Sequence, residues 1–258
     1  RINSMGQDLK NHEVVLDLVK QMDDLPWKDL DVKPLIVGVK QFKDTQPITN
    51  PAKRSHVLGK AYKATLKDVD QAYQAAKAMV PKWQAVSIED RANLLRKAAD
   101  QLEANYADFM RLIILEAGKT WQDAVDEIRE AVDFLRYYAD EAESRLVPQL
   151  LDGPTGESNS LTYVGRGVAV CISPWNFPLA IFIGQISAAL ISGNVVLAKP
   201  ANTTLGIATK MIELFYEVGL PKAAIQVLFG DTSQVAKPLV ADERNDLIMM
   251  TGSTQTAK

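Results

Sequence analysis

Asn176, Lys199 and the pair Gly252-Ser253 are the polar residues best placed to do chemistry in this 258-residue chain, because each follows directly on an apolar run. Asn176 lies just beyond a strand expected over Val168 to Ile172. Lys199 ends the run Val195-Val196-Leu197-Ala198, and Gly252-Ser253 come after Leu247 to Met250. Parallel sheets bind ligands at the carboxyl ends of their strands. Pro200 cannot donate a ladder hydrogen bond, so it stops the second strand at that edge. Each residue also has a plainer reading: an asparagine between two prolines makes a turn, a lone lysine is solvated surface, and Thr-Gly-Ser is a common turn.

Other reactive types are placed less favourably. Cys171 is the only cysteine, and it sits inside Val168-Ala169-Val170-Cys171-Ile172, where a small thiol is ordinary core packing. His12 and His56 belong to different expected elements and have no partner at ligand spacing, so they support neither a metal site nor a triad. Glu116 and Lys119 in Glu116-Ala117-Gly118-Lys119 read equally well as a recurrent segment of a known family and as a helix end with its charged flank, and Asp123, Asp126, Glu127 and Glu130 as a solvated helix face.

The elements that must position these residues fall into two patterns. From Leu35 to Lys63, apolar and turn residues alternate, predicting short strands at a sheet edge. Helices follow: Val69, Tyr73 and Ala76 share one face, Ser87 with Asp90 offers a capping pair, Gly118 suits a left-handed helix end, and Trp121 to about Ser144 forms a long amphipathic helix. After the Pro- and Gly-bearing passage 148–156, four apolar runs alternate with helix-sized stretches at about Leu179 to Ile191, Thr203 to Val218 and Ser233 to Val240. This alternation is the pattern of a parallel α/β sheet. No Gly-x-Gly-x-x-Gly fingerprint lies between strand and helix.

Composition excludes several classes. A formal charge of −3 gives no electrostatic case for nucleic acid, and 47% hydrophobic content suits a globular protein. No apolar run is long enough to span a bilayer and no signal peptide is visible. One cysteine excludes an internal disulfide and is consistent with a reducing, cytoplasmic setting.

Ser173-Pro174-Trp175-Asn176-Phe177-Pro178, Ala198-Lys199-Pro200-Ala201 and Thr251-Gly252-Ser253 occur in an order and spacing that resemble the cofactor half of an aldehyde dehydrogenase. That family also lacks the usual glycine fingerprint. Within it, Glu130 to Ala139 and Phe177 to Ile186 look like the pyrroline-5-carboxylate (glutamate semialdehyde) dehydrogenase module of bifunctional proline utilization A proteins, and Asn3 to Leu9 looks like the connector after their proline dehydrogenase domain. The resemblance implies an aldehyde dehydrogenase-like, Rossmann-type parallel sheet preceded by a helical region, in a fold that lacks its catalytic domain. Expected divisions are a connector over 1–30, N-terminal strands and helices over 31–145, an oligomerisation-arm strand over 146–163, and the dinucleotide-binding portion over 164–258.

The same resemblance assigns roles. The Asn176 amide would hold the oxyanion of a thiohemiacetal, a contribution on the order of 3 kcal/mol. Lys199 would bind the adenosine ribose, and Gly252 with Ser253 the pyrophosphate, with Ile172, Ser173, Pro174, Trp175, Ala201, Asn202, Gly230 and Thr232 completing the cofactor pocket. The nucleophilic cysteine and the general-base glutamate are expected beyond Lys258, both ends look cut, and the fragment is expected to be inactive alone. Three positions depart from the family pattern. Asn202 stands where NAD-preferring members commonly carry Glu, and Thr232 and Ala236 where many carry Gly. A neutral amide repels no 2′-phosphate, so relaxed discrimination against NADP is expected beside NAD use. FAD would enter only through an upstream proline dehydrogenase domain. Expected partners are a small aldehyde and further copies of the chain. The open alternatives are an aldehyde dehydrogenase with another substrate and a non-catalytic nucleotide-binding or assembly module.

Overall fold

The computed structural model describes residues 2–25 and 29–257. The first helix, α1 (His12–Asp24), is capped by the Asn11 side chain, which accepts from the Glu13 N–H. Leu18 and Met22 are its buried residues, and Arg111 donates to the carbonyls of Met22 and Leu25, so the expected connector is packed onto the body. The expected stop at Pro26-Trp27 lies outside the described residues.

Strands β1 (Leu30–Val32), β2 (Thr45–Asn50) and β3 (Lys53–Tyr62) form a sheet of their own in the order β1-β3-β2. The short strands expected at a sheet edge are thus mostly gathered in a sheet of their own. Gly59 makes the parallel β1–β3 pairing possible: its φ is +150°, and a Cβ there would stand 2.1 Å from the Leu30 carbonyl oxygen. Leu35 joins the main sheet, exchanging backbone hydrogen bonds with Val227 at 2.9 and 3.0 Å.

Four helices follow: α2 (Leu66–Gln84), α3 (Ile88–Ala104), α4 (Tyr106–Ala117) and α5 (Trp121–Arg145). Ser87 caps α3 through the Asp90 N–H, and Gly118 ends α4 in the left-handed region at φ 67°, both as the sequence predicts. A ribbon of β4 (Gln149–Leu151) and β5 (Asn159–Leu161) leads to the second half.

That half alternates strand and helix: β6 (Val168–Ile172), α6 (Ala180–Ile191), β7 (Val195–Lys199), α7 (Leu205–Glu217), β8 (Ile225–Val227), α8 (Ala236–Ala241), β9 (Leu247–Met250) and the short α9 (Thr254–Ala257). The four strands are parallel in the order β8-β7-β6-β9. The chain winds outward from β6 to β8, then crosses back so that β9 pairs with β6. The winding reverses between β6 and β9, the kind of crevice where open α/β sheets bind ligands. Apolar residues all round let α6 be buried almost completely, with Gly184 against the Phe134 ring. Its carboxyl end is held by buried donors: Trp83 Nε1 on the Leu190 carbonyl at 3.0 Å and Arg91 Nε on that of Ile191 at 3.0 Å. Cations suit a helix carboxyl end, where carbonyls lack partners. Among the described residues no helix is long and apolar enough to cross a membrane.

Candidate active site

The residues singled out by motif lie at the carboxyl ends of the parallel strands or on the loops that follow them, and backbone and side-chain hydrogen bonds tie these loops together. After β6, Ser173 is buried and its N–H donates to the Lys199 carbonyl at 3.3 Å, joining the first two loops at their roots. Pro174 is half-buried, Trp175 is 63% exposed, and Asn176 and Phe177 are exposed as well. Pro178 is buried again, and the chain turns into α6. After β9 the Thr251 N–H donates to the Ile172 carbonyl at 3.0 Å, and Gln185 Nε2 on α6 donates to Thr251 Oγ1 at 2.8 Å. The Asn176 loop and the Gly252-Ser253 turn thus flank the point where the winding reverses.

The β7 and β8 loops are joined as closely. Lys199 is half-buried, and loss of water around its ammonium lowers its pKa from the ordinary lysine value. Asn202 Nδ2 donates to the Gly230 carbonyl at 3.0 Å, and its own carbonyl accepts from Gln46 Nε2 at 3.2 Å. Asn202 Oδ1 is buried and makes no hydrogen bond. Gly230 has φ +156°, and a Cβ there would approach the Ala64 carbonyl oxygen to 2.9 Å. Thr232 is exposed, with its carbonyl accepting from Lys237 N–H, and Ala236, half-buried, opens α8. Gly252 and Ser253 are exposed, and Ser253 Oγ accepts from the Thr256 N–H at 3.2 Å.

Cys171 lies in the middle of this sheet, opposite Ala198 on β7 and Met249 on β9. Burial pushes its thiol up to about 12, so it carries no thiolate near neutrality. It is the chain's only thiol. A disulfide reagent such as dithionitrobenzoate is expected to leave it unmodified in the native chain and to titrate one thiol after unfolding. Fast native reaction would contradict the burial. His12 and His56 are both exposed, on α1 and β3.

Two carboxylates require a correction to the sequence reading. Asp123, Asp126 and Glu130 are exposed as a solvated face should be, but Glu127 is 1% exposed. Its Oε2 accepts from the N–H groups of Leu179 and Ala180 at 3.2 and 2.9 Å, at the start of α6. Its Oε1 makes no hydrogen bond but lies 3.5 Å from the Lys119 ammonium, which also stands 4.4 Å from the centroid of the Phe177 ring. Glu116 is likewise more than a helix end. Each of its oxygens accepts one N–H at the start of α7, from Gly206 at 2.7 Å and Ile207 at 2.8 Å. The signal for Glu127 was available: it falls in the stripe Ala124, Ile128, Ala131, Leu135 that α5 turns to the core. The same signal existed for Glu116, which continues the buried face Phe109, Leu112, Ile113 of α4, although its partners, 90 residues away, have no local mark.

A cavity of about 430 Å³ bordered by Asp108, Arg111, Thr209 and Lys210 lies against α4 and α7 and touches none of the four strand-end loops. The sheet edge, not that cavity, gathers the chemistry.

Known proteins share this arrangement. The bifunctional protein PutA of Salmonella typhimurium is 39% identical over 257 residues, which cover 100% of this chain and 19% of that protein. The crystal structure of proline utilization A (PutA) from Bdellovibrio bacteriovorus matches with a TM-score of 0.94 at 30% identity, over 100% of this chain and 27% of its own. That of a Thermus 1-pyrroline-5-carboxylate dehydrogenase with bound NAD gives a TM-score of 0.88 at 30% identity, over 96% of this chain and 49% of its own. The chain spans less than half the length of each of these relatives. Residues 39–258 match the aldehyde dehydrogenase family, and with its β8-β7-β6-β9 sheet and its strand-end loops the chain belongs to that family.

Proposed function

We propose that this chain is the dinucleotide-binding portion of an NAD-dependent dehydrogenase that oxidises glutamate 5-semialdehyde, formed by opening of 1-pyrroline-5-carboxylate, to glutamate. The observation that carries the reading is the convergence of Asn176, Lys199, Asn202 and Gly252-Ser253 on one sheet edge around the β6–β9 crevice. The residues fit a dinucleotide. Lys199 supplies a donor and Asn202 Oδ1 a buried acceptor without a partner, a pair suited to ribose hydroxyls. The α6 and α7 amino ends, which would otherwise attract phosphate, are filled by Glu127 and Glu116. This leaves the turn at Gly252-Ser253 for the pyrophosphate. Ile172, Ser173, Pro174 and Trp175 border the nicotinamide end, and Ala201, Gly230 and Thr232 the adenosine end.

When bound, the dinucleotide supplies the hydride acceptor. The chain's own part is to orient the aldehyde and stabilise charge: as a thiolate adds to the carbonyl carbon, the exposed Asn176 amide donates to the oxygen that becomes negative. Cys171 is buried in the sheet, so that thiolate comes from outside these 258 residues. The chain alone is therefore expected to show no turnover. FAD belongs to this reading only through a proline dehydrogenase domain in the same polypeptide. Leu150, 86% exposed on β4, and Val164, 82% exposed, favour a further copy of the chain as partner for that ribbon.

Isothermal titration of the purified, folded chain with NAD and NADP tests the cofactor reading. Saturable binding is expected for both, reduced at least about tenfold by Lys199→Ala, the loss of a charge-assisted hydrogen bond. Equal affinity in the variant would remove Lys199 from the site. Strong preference for NAD would show that Asn202 does not relax discrimination.

A further inference from the structure

Among the described helices, α1, α3 and α5 carry their own side-chain caps at Asn11, Ser87 and Thr120. The helices that follow the two central strands do not: neither Leu179 at α6 nor Thr204 at α7 makes a side-chain cap bond. Their open N–H groups are taken instead by the two buried glutamates of the corner between α4 and α5. Glu116 ends α4, Gly118 turns the chain, Lys119 follows, and Glu127 lies two turns into α5. One corner thus grips the starts of two helices, and each start is the end of a site loop. Leu179 is three residues past Asn176, and the Lys119 ammonium on the Phe177 ring adds a second hold on that loop. Gly206 is reached from Asn202 through a turn in which Thr204 N–H donates to the Ala201 carbonyl at 3.2 Å.

We propose that Glu116 and Glu127 are positioning residues that act on separate halves of the site: Glu127, with Lys119, sets the loop carrying Asn176, and Glu116 sets the loop carrying Lys199 and Asn202. This rests on the dehydrogenase reading for its kinetic consequences but not for its structural ones. The two carboxylates differ in a way that substitution can read. Glu127 uses one oxygen for both N–H groups, which a glutamine carbonyl can replace; Glu116 uses both oxygens, and a glutamine would set an N–H₂ group against one of the donors.

The experiment is hydrogen–deuterium exchange by peptide mass spectrometry on the complete enzyme, with steady-state kinetics on the same samples. Glu116→Gln is expected to speed exchange about tenfold in peptides over 199–207, leave 173–181 unchanged, and raise the KM for NAD with kcat retained. Glu127→Ala is expected to loosen 173–181 alone and to lower kcat by a larger factor than it raises the KM for NAD, while Glu127→Gln stays near wild type in exchange. Lys119→Met removes the hold on Phe177 and the cation beside Glu127 Oε1 while leaving the two N–H bonds to Oε2 in place, and should lower kcat in the same way, so it decides the question if Glu127→Ala does not fold. Equal loosening of both loops by Glu116→Gln or by Glu127→Ala, or KM and kcat left untouched by both of these variants, would overturn the proposal. A wild-type enzyme that does not oxidise the semialdehyde would defeat the functional reading yet leave the exchange pattern to be judged by itself.

Discussion

Asn176→Ala in the complete enzyme is expected to lower kcat by about a hundredfold to a thousandfold, the usual loss when one oxyanion donor is removed. The geometry makes this a clean substitution. Asn176 is exposed on the loop after β6 and makes no hydrogen bond within the described residues, so its side chain holds nothing in place. Surface changes of this kind alter stability by about 0.5 kcal/mol or less. Aldehyde KM and NAD affinity should stay near wild type, because the donor is needed only as the carbonyl oxygen gains charge. Asn176→Asp should be worse than alanine, since a carboxylate would face the developing oxyanion. A kcat within twofold of wild type for Asn176→Ala, measured with an unchanged melting temperature, would return this residue to the role of a turn former.

Much of the frame behind that loop was legible in the chain. Strands buried on both faces are continuous apolar runs, and Val168 to Ile172 and Val195 to Lys199 are such strands, while the apolar run Leu247 to Met250 forms the partly exposed edge strand β9. Gly193 and Gly219, at φ +84° and +102°, mark the carboxyl ends of α6 and α7 because those turns need positive φ. Legibility failed where a feature depended on what lay opposite. Three residues, Leu30 to Val32, form a strand only because Gly59 lets β3 come within reach of their backbone. Helix α8 begins at Ala236, three residues later than Ser233, because the Asp231 carbonyl first collects the N–H groups of Gln234 and Val235 in a turn. The bond from Asn202 to the Gly230 carbonyl joins residues 28 apart and has no local mark. The buried carboxylates are the clearest case. A glutamate in a core position reads as an error until a helix amino end is found to face it, and that partner is a product of the fold rather than of neighbouring sequence.

Glu116 should also leave a mark on stability as a function of pH. It is buried against α7, and desolvation raises its pKa to about 7 from the ordinary 4.5 in spite of the two backbone N–H groups that favour the charged form. The folded state therefore binds this proton more tightly than the unfolded state. The stability it contributes is fully present below pH 4.5 and is lost as pH rises through 7, since between those values unfolding releases a proton. A shift of this size corresponds to about 3 kcal/mol. Glutamine at 116 has no such proton. Comparing the chain with its Glu116→Gln variant cancels the other titrating groups, so urea unfolding of both from pH 4.5 to 8 isolates the effect. The difference should move in the variant's favour by up to about 3 kcal/mol across that window and level off above it. A flat difference would mean that Glu116 is already ionised at pH 5, with its two N–H bonds at the start of α7 outweighing its burial. The same ionisation bears on cofactor binding: only the carboxylate accepts both N–H groups, because a protonated carboxyl would turn an O–H toward one of them. The α7 amino end, and the Lys199 loop tied to it, should then be best ordered above pH 7, where the carboxylate is least favourable to the fold.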